Sequence, residues 1–248
     1  MNILAIDTAT NVLSVALYAG RSDGEPNMRR HIEADAGLRH SEILMDMVDT
    51  LLKQGGLEPA DINLVSCMKG PGSFTGLRIG FSVAKGIALA LKIPLIPVPT
   101  LDCMAYSYSV WPGIVIPAID AKKRRFFSAL YRGGVRITDE KDADAAAIAG
   151  LISEALASSP DGEKSILLTG PDAAMLHTEL QKQLSGCPDA ESPSGIRRDF
   201  IRLDPACRKG RAVELLELAR KGAETDIGED NYFAGPEYLR KSDAELNI

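Results

Sequence analysis

Two short apolar runs open the chain, residues 2–6 and 12–18, with turn-forming polar residues at 7–11 between them. Runs of that length joined by a short polar turn predict a β-hairpin. Residues 28–33 supply a third strand. The spacing then changes. Ile43, Leu44, Met47, Val48, Leu51 and Leu52 recur at helical intervals and predict a helix over 41–54, ended by Gly55-Gly56. A buried strand at 64–68, a helix at 75–91 and a strand at 93–98 follow, with prolines 94, 97 and 99 confining the last towards a sheet edge. The second half reads as a helix at 140–157, a strand at 165–169, a helix at 172–184 and a loop at 188–195. A long helix at 205–221, with Val213, Leu216 and Ala219 inward, precedes a polar tail from 229 onward.

The opening figure returns. Ala5-Ile6-Asp7, Ala16-Leu17-Tyr18 and Gly20 recur, without a gap, 113 residues later as Ala118-Ile119-Asp120, Ala129-Leu130-Tyr131 and Gly133. The runs 64–71 and 166–171 both end a strand on Gly-Pro. Two strand-turn-strand units, each followed by helical segments, predict two α/β lobes from an internal duplication. The expected domains are 1–104, with the helix near 205–221 packing back on it, 105–204, and the polar tail 229–248.

Composition narrows the function classes. Hydrophobic residues make up 45% of the 248, enough to bury a core. A net charge of -6 and a pI near 5.2 argue against a surface that grips nucleic acid everywhere. An RNA contact would need a local basic patch, and Lys122, Lys123, Arg124 and Arg125 form a dense basic cluster on a hairpin. Such a run is ordinarily a solvated turn. Cys67, Cys103, Cys187 and Cys207 make no C-x-x-C pair, the opening MNILAID is not a charged leader, and the stretch 86–98 is broken by Lys92, Pro94 and Pro97. Reduced thiols, a cytoplasmic location and no membrane contact are expected.

Candidate chemistry is sparse. Gly70-Pro71-Gly72-Ser73-Phe74-Thr75-Gly76 lies between a strand and a helix, where phosphate loops occur. Its spacing matches neither dinucleotide nor P-loop signatures, and Pro71 removes an amide donor. A tight turn with Ser73 capping the helix is the stronger reading. Asp7 and Asp120 sit in the two hairpin turns, Asp7-Thr8-Ala9-Thr10 and Asp120-Ala121-Lys122-Lys123. Neither turn has a glycine, so side chains at Ala9 and Lys122 limit backbone approach to phosphate. Capping of their own turns is at least as good a reading as metal contact. His31, His40 and His177 lack metal-ligand spacing. No catalytic residue, metal ligand or cofactor is expected. In the helix 75–91, Gly76, Gly80, Ala84 and Ala88 make a small-residue row beside the bulky Ile79, Val83, Ile87 and Leu91. That row fits either dense packing within its own lobe or a neighbour from another chain.

The string Gly70-Pro71-Gly72-Ser73-Phe74-Thr75-Gly76-Leu77-Arg78-Ile79-Gly80 resembles the TsaB family, as do ILAIDTAT, His40-Ser41-Glu42, PLIPVPTLD, Ala118-Ile119-Asp120-Ala121 and Pro236-Glu237-Tyr238-Leu239-Arg240. The resemblance implies an actin-like ATPase fold of two ribonuclease-H-like lobes. It implies a non-catalytic scaffold or dimerisation subunit in formation of threonylcarbamoyladenosine at N6 of adenosine in tRNAs reading ANN codons. The implied partners are a TsaD-like catalytic subunit, which carries the metal and nucleotide sites, a TsaE-like ATPase, and tRNA through the complex. Whether the chain forms a homodimer when alone is left open by the sequence. The implied pairing surface is formed by Ser41, Leu44, Met47, Leu51, Gly76, Arg78, Ile79, Gly80, Val83, Ala84 and Ile87. Family members often carry a glycine and an acid in the second hairpin turn, where this chain has Lys122-Lys123-Arg124-Arg125. The competing reading is a stand-alone actin-like ATPase or phosphotransferase, which would need glycine-bearing phosphate turns. A metallopeptidase would need metal ligands that the sequence does not offer.

Overall fold

β1 (Asn2–Asp7) and β2 (Val12–Ala19) form the expected hairpin, paired antiparallel from Asn2↔Ala19 to Asp7↔Ser14. β3 (Met28–Asp35) adds to β2, and after α1 (His40–Gly55) the chain enters β4 (Leu64–Gly70), parallel to β1. α2 (Phe74–Leu91) returns it to β5 (Leu95–Pro99), the edge strand that its prolines require, and α3 (Thr100–Tyr106) leads out. The sheet order is β3-β2-β1-β4-β5. The computed structural model describes residues 1–20, 28–158, 164–184, 196–225 and 235–237.

The next segment repeats this plan. β6 (Ile114–Asp120) and β7 (Arg125–Ser128) are the second hairpin; β8 (Tyr131–Arg132) and β9 (Val135–Arg136) form a small ribbon on β6. β10 (Lys141–Asp144), α4 (Ala145–Ala157), β11 (Ile166–Thr169), α5 (Ala173–Gln183) and β12 (Ile201–Leu203) follow. The order β10-β7-β6-β11-β12 matches the first sheet strand for strand, so the duplication seen in the sequence is present in the topology. α6 (Ala212–Thr225) is the last element among the described residues.

Two compact units result: Met1–Cys103 with Lys209–Tyr238, and Met104–Arg208 with Leu239–Ile248. In the first, strand alternation divides the core. Leu4, Ile6, Leu13, Val15 and Leu17 meet α1 and α2 on one face. Ile3, Ala5 and Ala16 meet Ala212, Leu215, Leu216 and Ala219 of α6 on the other. In the second, Ile114, Ile116, Ala118 and Phe126 pack with Ile148 and Ile152 of α4 and Leu176 and Leu180 of α5.

Three expectations are corrected. The helix predicted from 140 begins with β10, because Lys141–Asp144 pairs with β7 and Asp144 then caps α4 by accepting the Ala147 amide at 2.9 Å. The helix predicted from 205 begins at Ala212, since Asp204 turns the chain by accepting the Ala206 amide and only later residues are helical. β12 had no counterpart among the predicted elements. The predicted loop 188–195 lies outside the described residues, and of the tail 229–248 only 235–237 are described.

Candidate functional site: a closed turn junction and an apolar helix face

At the C-terminal ends of the parallel strands β1 and β4, where open α/β sheets bind ligands, two turns meet backbone to backbone. Ser73 N–H donates to Ala9 O at 2.7 Å, and Thr8 Oγ1 donates to Gly76 O at 2.7 Å. Three glycines of the motif allow this approach. A Cβ at Gly72 would stand 2.6 Å from Ala9 O, and one at Gly76 or Gly80 would collide with Thr8 O or Thr8 Oγ1. Ser73 Oγ accepts the Gly76 amide at 3.2 Å and caps α2. The glycines thus serve a junction within the chain, and the capped tight turn is the reading that holds.

Asp7 is buried at that junction. Its Oδ1 accepts the Ala9 amide at 2.9 Å, the turn-capping role read from the sequence. Its Oδ2 accepts the Arg211 amide at 2.8 Å, while Ser14 Oγ accepts that of Ala212 at 3.1 Å and Glu33 Oε2 that of Gly210 at 3.1 Å. Side chains of the first hairpin and its neighbour strand therefore cap the entry to α6 from across the unit. Arg211 is itself buried and lies 3.4 Å from Glu214. Burial pushes the Asp7 carboxyl above the usual 3.8, against the lowering effect of the two amides and the Arg211 charge. Burial likewise pushes up the thiols of Cys103 and Cys67.

The second turn is bent differently. Lys122, Lys123 and Arg124 all have left-handed backbone, with φ of +65°, +55° and +59°. Asp120 Oδ1 accepts the Lys122 amide at 2.7 Å, and its Oδ2 pairs with Lys122 Nζ at 2.9 Å. Arg124 pairs with Glu179, and Arg125 Nε with Asp142 Oδ1 at 2.6 Å. Asp172 Oδ2 accepts the Asp120 amide at 2.7 Å, and burial raises its carboxyl above 3.8, with the Asp120 charge adding to that rise. The basic cluster is thus largely neutralised from within, and Lys123 is the member whose ammonium has no carboxylate among the described residues. His40 is buried with Nε2 2.8 Å from Thr10 O, His31 is exposed on β3, and His177 contacts Gln181 at 3.2 Å. Among the described residues no three His, Cys, Asp or Glu side chains gather as metal ligands would.

The residues expected to pair with another chain divide in two. Gly76, Gly80, Ala84 and Ala88 are buried within their own unit, as are Leu44, Met47 and Leu51. The small-residue row seats α2 against the first hairpin turn and the sheet, so the expectation that it faces a partner is corrected. Ser41 and Arg78 are exposed, and Ile79, Val83 and Ile87 are half-buried along the outer side of α2. Leu89 on α2 and Met45 on α1 are also exposed, at 51% and 50%, although the sequence pattern did not single them out. Only six of the 18 residues of α2 are buried, while its mean hydropathy is 1.4. Length and composition alone would let such a helix cross a membrane. Arg78 lies over the Phe74 ring, 3.8 Å from its centroid.

Two sheets of one strand order, each a hairpin-led antiparallel half joined to a parallel half, define an actin-like fold of two ribonuclease-H-like units. The family model described as "TsaD: tRNA N6-adenosine threonylcarbamoyltransferase" matches residues 34–248, and the chain belongs to that family. It is 41% identical over 134 residues to the tRNA threonylcarbamoyladenosine biosynthesis protein TsaB of Escherichia coli, covering 53% of this chain and 55% of that protein. That match spans about half the length of the relative. The protein of the same name from Bacillus subtilis is 27% identical over 245 residues, 99% of this chain and 96% of that one. The solved structure of YeaZ from Pseudomonas aeruginosa has the same fold, with a TM-score of 0.69 at 24% identity over 96% of this chain and 99% of that chain.

Proposed function

We propose that this chain is a non-catalytic pairing subunit in the formation of threonylcarbamoyladenosine in tRNA. The family and the names of its relatives support the pathway. The observation that carries the pairing role is the outer side of α2, where Ile79, Val83, Ile87 and Leu89 leave apolar surface uncovered beside Arg78. A stable partner burying upwards of about 1,000 Å² in total would cover it. The partner in this reading is a TsaD-type transferase that supplies the reacting groups, with a TsaE-type ATPase as a further component. A second copy would use the same face when the partner is missing.

In this reading the chain contributes surface rather than chemistry. Asp7 is committed to capping α6, and the glycines beside it are closed onto Thr8 and Ala9. Transfer of threonylcarbamoyl to tRNA by a TsaD-type chain should rise when this chain is added. The isolated chain should neither catalyse that transfer nor hydrolyse ATP above background. Transfer by the TsaD-type chain that is indifferent to this one, or ATP turnover here that vanishes in Asp7→Ala, would overturn the reading.

A further inference from the structure

The turn at Gly70 is held from a second quarter, by residues far along the chain. Glu237 N–H donates to Lys69 O at 2.7 Å, and Lys69 Nζ pairs with Glu237 Oε2 at 2.9 Å. Gly70 has φ of +118°, and a Cβ there would stand 2.5 Å from Glu237 O. Both facts demand glycine, one for the backbone angle and one for the room in which residues 235–237 lie.

The two grips on this turn differ in kind. Ala9, which accepts the Ser73 amide, is buried. The side chains of Lys69 and Glu237 are 36% and 56% exposed. An exposed ion pair contributes little and is screened by salt. The grip of Glu237 is therefore the one that can open while the fold stands. Three residues beyond Gly70, Ser73 caps α2, so whatever steadies the turn steadies the first turn of the helix that carries Phe74 and Arg78.

We propose that residues 235–237 are a releasable latch on the Gly70 turn. Closed, the latch holds the first turn of α2 in the geometry that pairs with a partner. Open, it lets that turn loosen, and pairing weakens because ordering must be supplied on binding. The second half of this statement rests on the pairing role proposed above.

The test combines amide hydrogen exchange over residues 70–78 of the isolated full chain with its affinity for a TsaD-type chain. Glu237→Lys places two ammonium groups together, and the double exchange Lys69→Glu with Glu237→Lys restores the pair. Exchange should quicken several-fold in Glu237→Lys, affinity should fall roughly two- to fivefold, and both should return in the double variant. Raising salt should quicken wild-type exchange in the same residues. Gly70→Ala should expel residues 235–237 by both counts and mimic Glu237→Lys. Unchanged exchange in Glu237→Lys would show that no latch is closed in solution. Faster exchange with unchanged affinity would show a latch that does not govern pairing. If the wild-type chain binds no TsaD-type chain, the pairing role falls and the coupling to it falls too, whereas the exchange rates still decide whether the latch exists.

Discussion

Each carboxylate oxygen of Asp7 receives a backbone amide. Asp7→Asn turns an amide donor towards one of those N–H groups, which should cost about 1–3 kcal/mol. In a thermal melt that is a fall of about 2–4 °C per kcal/mol for a chain of this size. The pH dependence has a definite sign. Because the folded carboxyl titrates above 3.8, the folded state holds the proton more tightly than the unfolded one. Ionisation thus removes stability as pH rises from 3.8 to the raised value, and nothing further changes above it. The stability gap between wild type and Asp7→Asn should widen as pH falls through that window; a gap that narrows would contradict the burial of the charge. Lys123 offers the opposite case. Left-handed backbone costs a side-chain-bearing residue about 1–2 kcal/mol, and glycine adds unfolded-state entropy of about half that. Lys123→Gly should raise stability by about 0.5–1 kcal/mol, whereas Lys123→Ala should not. A tRNA contact at this turn would draw on Lys123, so Lys123→Ala should change the salt slope of tRNA binding in the complex by no more than about one. Capping by Asp7 and Asp120 was legible because an aspartate after a strand accepts amides two residues on. Arg211 was not, since the bond to Asp7 joins positions 204 residues apart and leaves no local pattern.

α2 shows what periodicity can and cannot say. Its span was readable to within a residue, and so was its small-residue row, but a pattern of sizes does not reveal which neighbour fills the space. Thr8 fills it here. Ala84→Leu should therefore overpack the lobe, costing about 1–3 kcal/mol and lowering the melting temperature of the isolated chain. Leu89→Glu, on the exposed side, should leave the melt within about 0.5 kcal/mol and abolish pairing. An unchanged melt in Ala84→Leu would return the row to the interface. The same limit explains the misplaced starts of α4 and α6. Alanine-rich 145–149 extends a helical pattern backwards over Lys141–Asp144, whose strand character comes only from pairing with β7. The segment before Ala212 mixes helix-compatible Ala206, Arg208 and Lys209 with Gly210, and the distant caps at Asp7, Ser14 and Glu33 fix the entry to the helix.

At the scale of the molecule, the first unit is discontinuous and the second is built around a single stretch, Met104–Arg208. α6 supplies Ala212, Leu215, Leu216, Ala219 and Ala223 to the core beneath β1 and β2. A chain ended at Arg208 should lose the cooperative melt of the first unit, seen as lost amide protection over β1, β2 and β4. The fragment Met104–Arg208 should keep protected amides in β6 and β11. Protection of β1 in the shortened chain would show that the sheet stands without α6. The duplication was legible from paired tripeptides, but the ownership of the last helix was expected only in outline, because its apolar stripe fits either sheet.

The split of the first unit also orders events at the ribosome. The strands made first lack one side of their core until the residues of α6 emerge, more than a hundred residues later. At about 5–20 residues per second, that interval is roughly 5–20 s. Throughout it the underside of the opening hairpin is bare, and by its end the second unit has all its strands. The part translated first is thus completed last, and a nascent chain stalled before α6 presents the apolar face of β1 and β2 to chaperones.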